Sequence, residues 1–98
     1  MSRVRVAIVG AGGIANRHAY ALRANEHAEL TAVIDADRAR SEDFAARWGG
    51  TVYDSLSRCL GEVDAVYVLT PPTVRKGYAI EALSAGKHLF CEKPLAST

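Results

Sequence analysis

The sequence has no block of charge of one sign: its 12 basic and 11 acidic residues are interspersed and leave a formal charge of +1. Such a pattern offers no basic stripe to nucleic acid or to an anionic membrane surface, so neither is expected as a partner. Long apolar runs are missing too. The run 63–69 is broken by Asp64 and falls far short of the about 20 residues needed to cross a bilayer. Val6 to Val9 runs straight into glycines. It is too short for a signal-peptide core of about 7 to 15 apolar residues, and a cytoplasmic location is expected. Cysteine is scarce: Cys59 and Cys91 make neither a CxxC pair nor a zinc-ligand spacing. They read as two free thiols in a reducing compartment, with no metal site. Repeats, linkers and low-complexity stretches are absent. What remains, 98 residues at 49% hydrophobic and 23% charged, is the composition of one ordinary globular domain over 1–98.

Two periodicities alternate along that domain. Arg3 to Val9 alternates and then turns continuously apolar, the pattern of a buried parallel strand ending at Gly10. From Gly13 a helix is predicted, with Ile14, His18 and Leu22 on one face and Ala15 and Ala19 beside them. Glu29 to Ile34 reads as a second strand. Asp37 reads as the N-cap of a helix in which Phe44, Ala45 and Trp48 share a face, stopped by Gly49 and Gly50. A short strand over Thr51 to Tyr53 and a brief helix, capped by Asp54 or Ser55 and reaching Leu60, lead to a fourth strand at Asp64 to Thr70. Pro71 and Pro72 end it. Thr73 starts a helix with Val74, Tyr78 and Ala82 at core spacing, Gly86 ends that helix, and Lys87 to Cys91 is a fifth strand. Strands alternating with helices predict an α/β fold, a doubly wound parallel sheet of about five strands in the order 3-2-1-4-5 with right-handed crossovers.

Gly10-Ala11-Gly12-Gly13-Ile14-Ala15 fits GxGxxG/A between a strand and a helix, the context of a dinucleotide-binding turn. Gly10 permits the tight turn, Gly12 lets backbone approach a diphosphate, and the small Ala15 lets helix and strand pack closely. The helix mouth at Gly13 and Ile14 adds unpaired amides and the positive end of a dipole. Taken alone, these glycines could be turn chemistry, and Asp35 could be a turn former. Together they corroborate each other, because Asp35 closes the second strand about 20 residues on, where an acid accepts hydrogen bonds from the adenosine ribose. An acid there also repels a 2′-phosphate, which favours NAD; Arg38 and Arg40 keep NADP possible.

In the expected strand order the ligand crevice lies outside the carboxyl ends of strands one and four, where Thr70, Pro71 and Pro72 fall. The diproline either walls the nicotinamide end of the cofactor or simply stops the strand. Beyond strand five, Glu92-Lys93-Pro94 places an ionisable pair beside the same crevice on proline-restricted backbone; on its own such a turn is usually a solvated loop.

GAGGIANRH, VIDAD, LTPP and AGKHLFCEKPLA, in that order and spacing, resemble the N-terminal domain of the glucose-fructose oxidoreductase and inositol dehydrogenase family (Gfo/Idh/MocA) over nearly the whole chain. The last element is the most specific, since many dinucleotide-binding families share the phosphate loop and do not carry EKP. The resemblance implies the Rossmann NAD(P)-binding fold, ending here before its final strand and before a separate substrate-binding domain. It implies an oxidoreductase that passes hydride between a nicotinamide cofactor and a secondary alcohol of a sugar, cyclitol or related polyol, the complete enzyme being a homo-oligomer. It carries a catalytic role to Lys93, whose ammonium would stabilise negative charge developing on the substrate oxygen. The cofactor site then runs from Gly10, Gly12, Gly13, Ile14 and Ala15 past Asp35 to Thr70, Pro71 and Pro72, and on to Arg75, Glu92 and Lys93. The family's usual acid/base histidine, often with an aspartate nearby, belongs to the second domain. His18 matches the family's histidine after the loop but sits on the core stripe and reads as packing; His88 and His27 read as structural and surface residues. Arg75 departs from the pattern, since the family often has histidine at this place after TPP. It reads either as a contact to cofactor or substrate or as a solvated residue of the helix start.

The chain by itself is therefore expected to bind cofactor without turnover. A freestanding, non-catalytic dinucleotide-sensing module is the alternative from another class. Methyltransferase or flavoprotein use of the glycine loop is weaker, because neither explains EKP. A domain of this size buries only about 60 to 65% of its unfolded surface, and strand five is expected to be an apolar edge. Marginal stability or self-association through Leu89 to Cys91 follows as an expectation. Light scattering at high concentration checks it, and a stable monomer counts against it.

Overall fold

The computed structural model describes residues 3–91. Its elements are β1 (Val4–Val9), α1 (Gly13–Ala24), β2 (Ala28–Ile34), α2 (Arg38–Trp48), β3 (Thr51–Val52), β4 (Ala65–Val68), α3 (Pro72–Ser84) and β5 (His88–Cys91). The strands form one parallel sheet in the order β3-β2-β1-β4-β5. This is the predicted topology, with five strands in the doubly wound order.

β1 lies at the centre and is covered on both faces. Val6 and Ile8 join a cluster with Ala15, Ala19, Leu22 and Phe44 from α1 and α2. Ala7 and Val9 join the opposite cluster, with Leu56, Val63, Val66, Val68 and Ala82 of α3. A strand buried on both faces needs apolar residues at every position, which is why the start of this sequence stops alternating after Arg5. The split of helices between faces follows from handedness. The chain builds outward from β1 to β3, then returns past β1 to β4 and builds the other way. Right-handed crossovers in opposite directions put α1 and α2 on one face and α3 on the other.

The β1–β2 ladder shifts register between Val6 and Ala7: Val6 pairs with Leu30 and Ala7 with Ala32, which leaves Thr31 as an extra residue in β2. The bulge explains a break in period. Leu30 and Val33 are an odd number apart yet both pack on the cluster facing α1 and α2.

Several element details differ from the sequence reading. On α1 the fully buried stripe is Ala15, Ala19 and Leu22, with Ile14 and His18 half-buried at its flank. Close approach of helix to sheet selects the small side chains. The brief helix before β4 is two turns of 3-10 helix over Leu56–Arg58 and Leu60–Glu62. Neither expected cap acts: Ser55 makes no side-chain cap bond, and Asp54 is engaged by Arg38. α3 begins at Pro72, one residue earlier than Thr73, because proline at the first helical position forfeits only an amide that would lack a partner. Val74 is 50% exposed and so lies outside the core, unlike Ala82. Strands three and four are shorter than expected, although Tyr53, Asp64 and Leu69 each extend the ladder by one backbone bond, to Val33, Arg5 and Val9.

α1 and α2 are latched by Trp48, whose Nε1 donates to Asn16 Oδ1 at 2.7 Å while Arg23 lies 4.7 Å over its ring. At the amino end of the sheet, Asp64 accepts from the Arg5 amide at 2.8 Å and from both Arg5 Nε and Nη2. The Arg5 hydrogen bonds hold the Asp64 carboxyl below its usual range. A carboxyl lowered on folding stabilises the fold above its unfolded value and loses that contribution as pH falls through the folded value. Asp64→Asn is therefore expected to lower the melting temperature at neutral pH. The gap to the parent should close on acidification below about pH 4; a pH-independent gap in thermal melts would refute the assignment.

Candidate functional site

A crevice of about 600 Å³ opens where β1, β2 and β4 end, at the point where the chain's direction across the sheet reverses. That volume is within the about 300 to 1,000 Å³ typical of small-molecule sites, and the position is where open α/β sheets bind ligands.

One wall is the turn from β1 to α1. Gly10 has φ +99°, and a Cβ placed on it would come within 2.9 Å of the Leu69 carbonyl carbon and 3.0 Å of its oxygen. Glycine is thus required twice here, by backbone conformation and by the close crossing of β1 and β4. Gly12 differs. It has φ −84°, and the nearest atom to a Cβ there would be Arg40 Nη1 at 3.8 Å; around Gly13 nothing lies within 4 Å. No side chain caps α1 at Gly12, and the amides of a first helical turn have no intrahelical acceptor. A helix mouth with open space over glycine and no capping side chain suits an anion's approach.

Asp35 ties this wall to β2. Its Oδ2 accepts from the Ala11 amide at 2.7 Å and its Oδ1 from the Asp37 amide at 2.8 Å, and its side chain is only 9% exposed. The acid and the glycine turn are therefore one unit, as the sequence spacing required. Asp37 caps α2 as expected, accepting from the Arg40 amide at 3.2 Å. Two candidate cations separate here. Arg38 is bound to Glu42 and Asp54, away from the crevice, whereas Arg40 lines it with Nε 4.0 Å from Asp35.

The opposite wall is Leu69, Thr70, Pro71 and Pro72, with Arg75 beyond. Thr70 Oγ1 is buried and has no hydrogen-bond partner among the described residues, while the Thr70 carbonyl accepts from Arg75 Nη2 at 3.3 Å. A buried hydroxyl without a partner is costly, and beside an open crevice a ligand's polar group would satisfy it.

Of the residues singled out in the sequence, Gly10, Gly12, Gly13, Ile14, Asp35, Thr70, Pro71, Pro72 and Arg75 line this one crevice. Ala15 does not line it; fully buried, it packs the helix against the sheet behind the loop. Glu92 and Lys93 lie outside the described residues. Val74 and Tyr78 also line the crevice; Tyr78 packs against the core as its spacing predicted, and Val74 does not. The signal that they do is the start of α3 itself: a helix beginning at the carboxyl end of β4 has its first inner turns at the sheet's rim.

The remaining chemistry-bearing residues are structural. His18 stacks edge-on against Tyr67 at 5.7 Å and on Phe90 at 5.2 Å; His27 and His88 are exposed. Cys59 is buried, its Sγ donating to the Leu56 carbonyl, and burial pushes its thiol up to about 11, so it is not a nucleophile at neutral pH. Among the described residues no group of three or more His, Cys, Asp or Glu is placed to hold a metal, and no helix is long and apolar enough to cross a membrane.

Glycine turn, coupled acid and crevice at the point of strand reversal define a dinucleotide-binding α/β domain. Residues 4–98 match the model of an oxidoreductase family with an NAD-binding Rossmann fold. The chain belongs to that family, Gfo/Idh/MocA. It is 36% identical over 92 residues to glucose-6-phosphate 3-dehydrogenase of Bacillus subtilis, covering 94% of this chain and 26% of the relative. Among solved structures it resembles GenD2 from gentamicin A biosynthesis in complex with NAD, at TM-score 0.92 and 34% identity, covering 98% of this chain and 28% of the other. It also resembles a 3-ketoreductase from Actinomadura kijaniata in complex with NADP and TDP-benzene, at TM-score 0.88 and 35% identity, covering 98% and 30%. The chain thus spans between about a quarter and a third of the length of these relatives.

The two loop glycines should separate by experiment. Gly10→Ala forces a Cβ into backbone at positive φ and is expected to cost at least about 2 kcal/mol, visible in chemical denaturation. Gly12→Ala meets open space and should melt close to the parent while losing dinucleotide affinity. Equal destabilisation by both would contradict the geometry.

Proposed function

We propose that this chain is the cofactor-binding part of an NAD(P)-dependent oxidoreductase that acts on a secondary alcohol of a sugar, cyclitol or related polyol. The observation that carries the reading is the coupling of Asp35 to the glycine turn through the Ala11 amide at 2.7 Å. That bond sets a carboxylate for a ribose and a set of amides for a diphosphate at one fixed separation. The diphosphate would lie across Gly12 and Gly13 at the mouth of α1, the adenosine ribose beside Asp35, and the nicotinamide end along Thr70, Pro71 and Pro72. Thr70 Oγ1 is then available to a polar group of the ligand.

A bound nicotinamide dinucleotide supplies the hydride chemistry. The chain's own residues bind and orient it, with Pro71 and Pro72 forming one wall of the crevice. Lys93, carried over from the family resemblance, would stabilise charge on the substrate oxygen, with proton transfer left to a second domain. Substrate class rests on the relatives, of which one is a glucose-6-phosphate 3-dehydrogenase and another a dTDP-3,4-didehydro-2,6-dideoxy-alpha-D-glucose 3-reductase. Alone, residues 1–98 are expected to bind cofactor and turn nothing over.

Calorimetric titration with NADH against S-adenosylmethionine tests the reading. NADH should bind, and Asp35→Asn should weaken it by about tenfold or more, the scale of losing hydrogen bonds to a charged group. Equal binding of S-adenosylmethionine, or no binding of either nicotinamide coenzyme by folded protein, would overturn it.

A further inference from the structure

We propose that Asn16 and Trp48 position the diphosphate-binding turn: the Trp48 indole, bonded to Asn16, holds the first turn of α1 at the rotation at which its amides meet the dinucleotide. The inference rests on the dinucleotide reading above and adds to it two residues that do not line the crevice.

Hydrogen-bonding chemistry fixes how the Asn16 amide is turned. An indole N–H can only donate and a carbonyl can only accept, so Oδ1 accepts from Trp48 Nε1 at 2.7 Å and Nδ2 donates to the Gly13 carbonyl at 3.4 Å. The first bond is short and half-buried, the second long and exposed. Asn16 is the fourth residue of α1, so a bond to its side chain restrains the same turn that presents the Gly13 and Ile14 amides. Two turns on, Arg23 lies 4.7 Å over the ring of the same indole and donates from Nη2 to the Arg47 carbonyl at 3.0 Å. One half-buried side chain at the end of α2 thus holds α1 near both of its ends.

Packing alone leaves the rotation of α1 open. The helix meets the sheet through Ala15, Ala19 and Leu22, and apolar contact between small side chains permits close approach without a directional preference. Asp35 fixes the turn through the Ala11 amide, before the helix begins. The aim of the amides after Gly12 is therefore left to a directional bond on the helix itself. Trp48 supplies it from an element with its own anchorage. α2 starts at the Asp37 cap, two residues beyond Asp35, and stops at Gly49, which has φ +96° and donates to the Ala45 carbonyl at 2.7 Å. The acid and the phosphate turn are thus tied twice, directly at Ala11 and through the length of α2 at Asn16.

The test is calorimetric titration of the full chain with whichever of NADH and NADPH binds the parent more tightly, with circular dichroism and thermal melts on every variant. Trp48→Phe keeps an aromatic ring and removes the donor. Asn16→Ala removes the acceptor and puts the best helix former inside a helix, so it folds and carries the test even where Trp48→Phe does not. Each should weaken coenzyme binding by about threefold to tenfold, the scale of one net hydrogen bond. The double variant should bind no more weakly than the weaker single, because both changes break the same bond. Asp64→Asn, at the amino end of the sheet, should lower the melting temperature yet stay within about twofold of the parent's affinity, which separates positioning from general loss of stability. The chain's single tryptophan adds a spectroscopic signature: its indole N–H resonance should move when coenzyme binds the parent and move far less in Asn16→Ala. Affinity of Asn16→Ala within about twofold of the parent, a double variant whose loss is the product of the two single losses, an Asp64→Asn loss as large as theirs, or an unmoved indole resonance in a parent that binds coenzyme would each overturn the proposal while leaving the dinucleotide reading intact. Failure of the folded parent to bind NADH or NADPH would overturn both.

Discussion

The hydrogen bond from the Ala11 amide to the Asp35 carboxylate is where sheet and site become the same object. Gly10 N donates to the Ile34 carbonyl at 2.8 Å, and Ala11 N then donates to Asp35 Oδ2 at 2.7 Å. The β1–β2 ladder is thus prolonged by one backbone bond and one side-chain bond into the glycine turn. The turn inherits its position from the register of two central strands, among the most deeply buried backbone in the molecule. A short hydrogen bond to a nearly buried carboxylate, charge-assisted, holds that junction more firmly than a loop's own contacts would.

Register in turn depends on a bulge far from the crevice. With Thr31 as the extra residue, Val9 pairs with Ile34 and the acid that follows arrives beside Ala11. Were β2 to run without the bulge, every later residue would slip by one against β1 and its side chains would change face. Asp35 would then miss the Ala11 amide, and Ile34 would turn from the α3 side toward α1. The apolar residues on both faces of β2 therefore enforce the geometry of a polar site: Val33 and Ile34 are each essentially unexposed, in opposite clusters. Hydrophobic burial, non-directional in itself, here fixes a hydrogen bond.

Most of this architecture was legible because it rests on local rules. Gly10 demands positive φ, proline at 71 and 72 ends β4, and Asp37 caps α2; each acts within a few residues. The strand order followed from alternation plus handedness. What sequence pattern missed depends on contacts across the sheet. The bulge at Thr31 has no turn residue to announce it, and the burial of Ala15 and Ala19 in place of Ile14 and His18 reflects how closely α1 approaches the sheet. Tyr78 packs against the α3-side core as its spacing predicted and borders the crevice as well, whereas Val74, one turn earlier, lies out at the sheet's rim. Arg38 and Arg40 could not be told apart by spacing, since their roles are decided by Asp54 beyond α2 and by Gly12 before it.

The distribution of ionisable groups assigns this part of the family's fold its share of the chemistry. The acidic and basic residues that line the crevice among the described residues are Asp35, Arg40 and Arg75. Asp35 has both oxygens on backbone amides, and an arginine does not give up its proton in a protein. The histidines, which would be the natural proton carriers, are packed against aromatic rings or exposed elsewhere. The thiol of Cys59 is held protonated by burial. Apart from the hydroxyls of Thr70 and Tyr78, the described polar side chains at the crevice are fitted to hold and orient an anionic, hydroxyl-bearing ligand. The binding geometry is set by strands β1 and β2, while the relatives include both a glucose-6-phosphate 3-dehydrogenase and a 3-reductase of a dTDP-linked sugar.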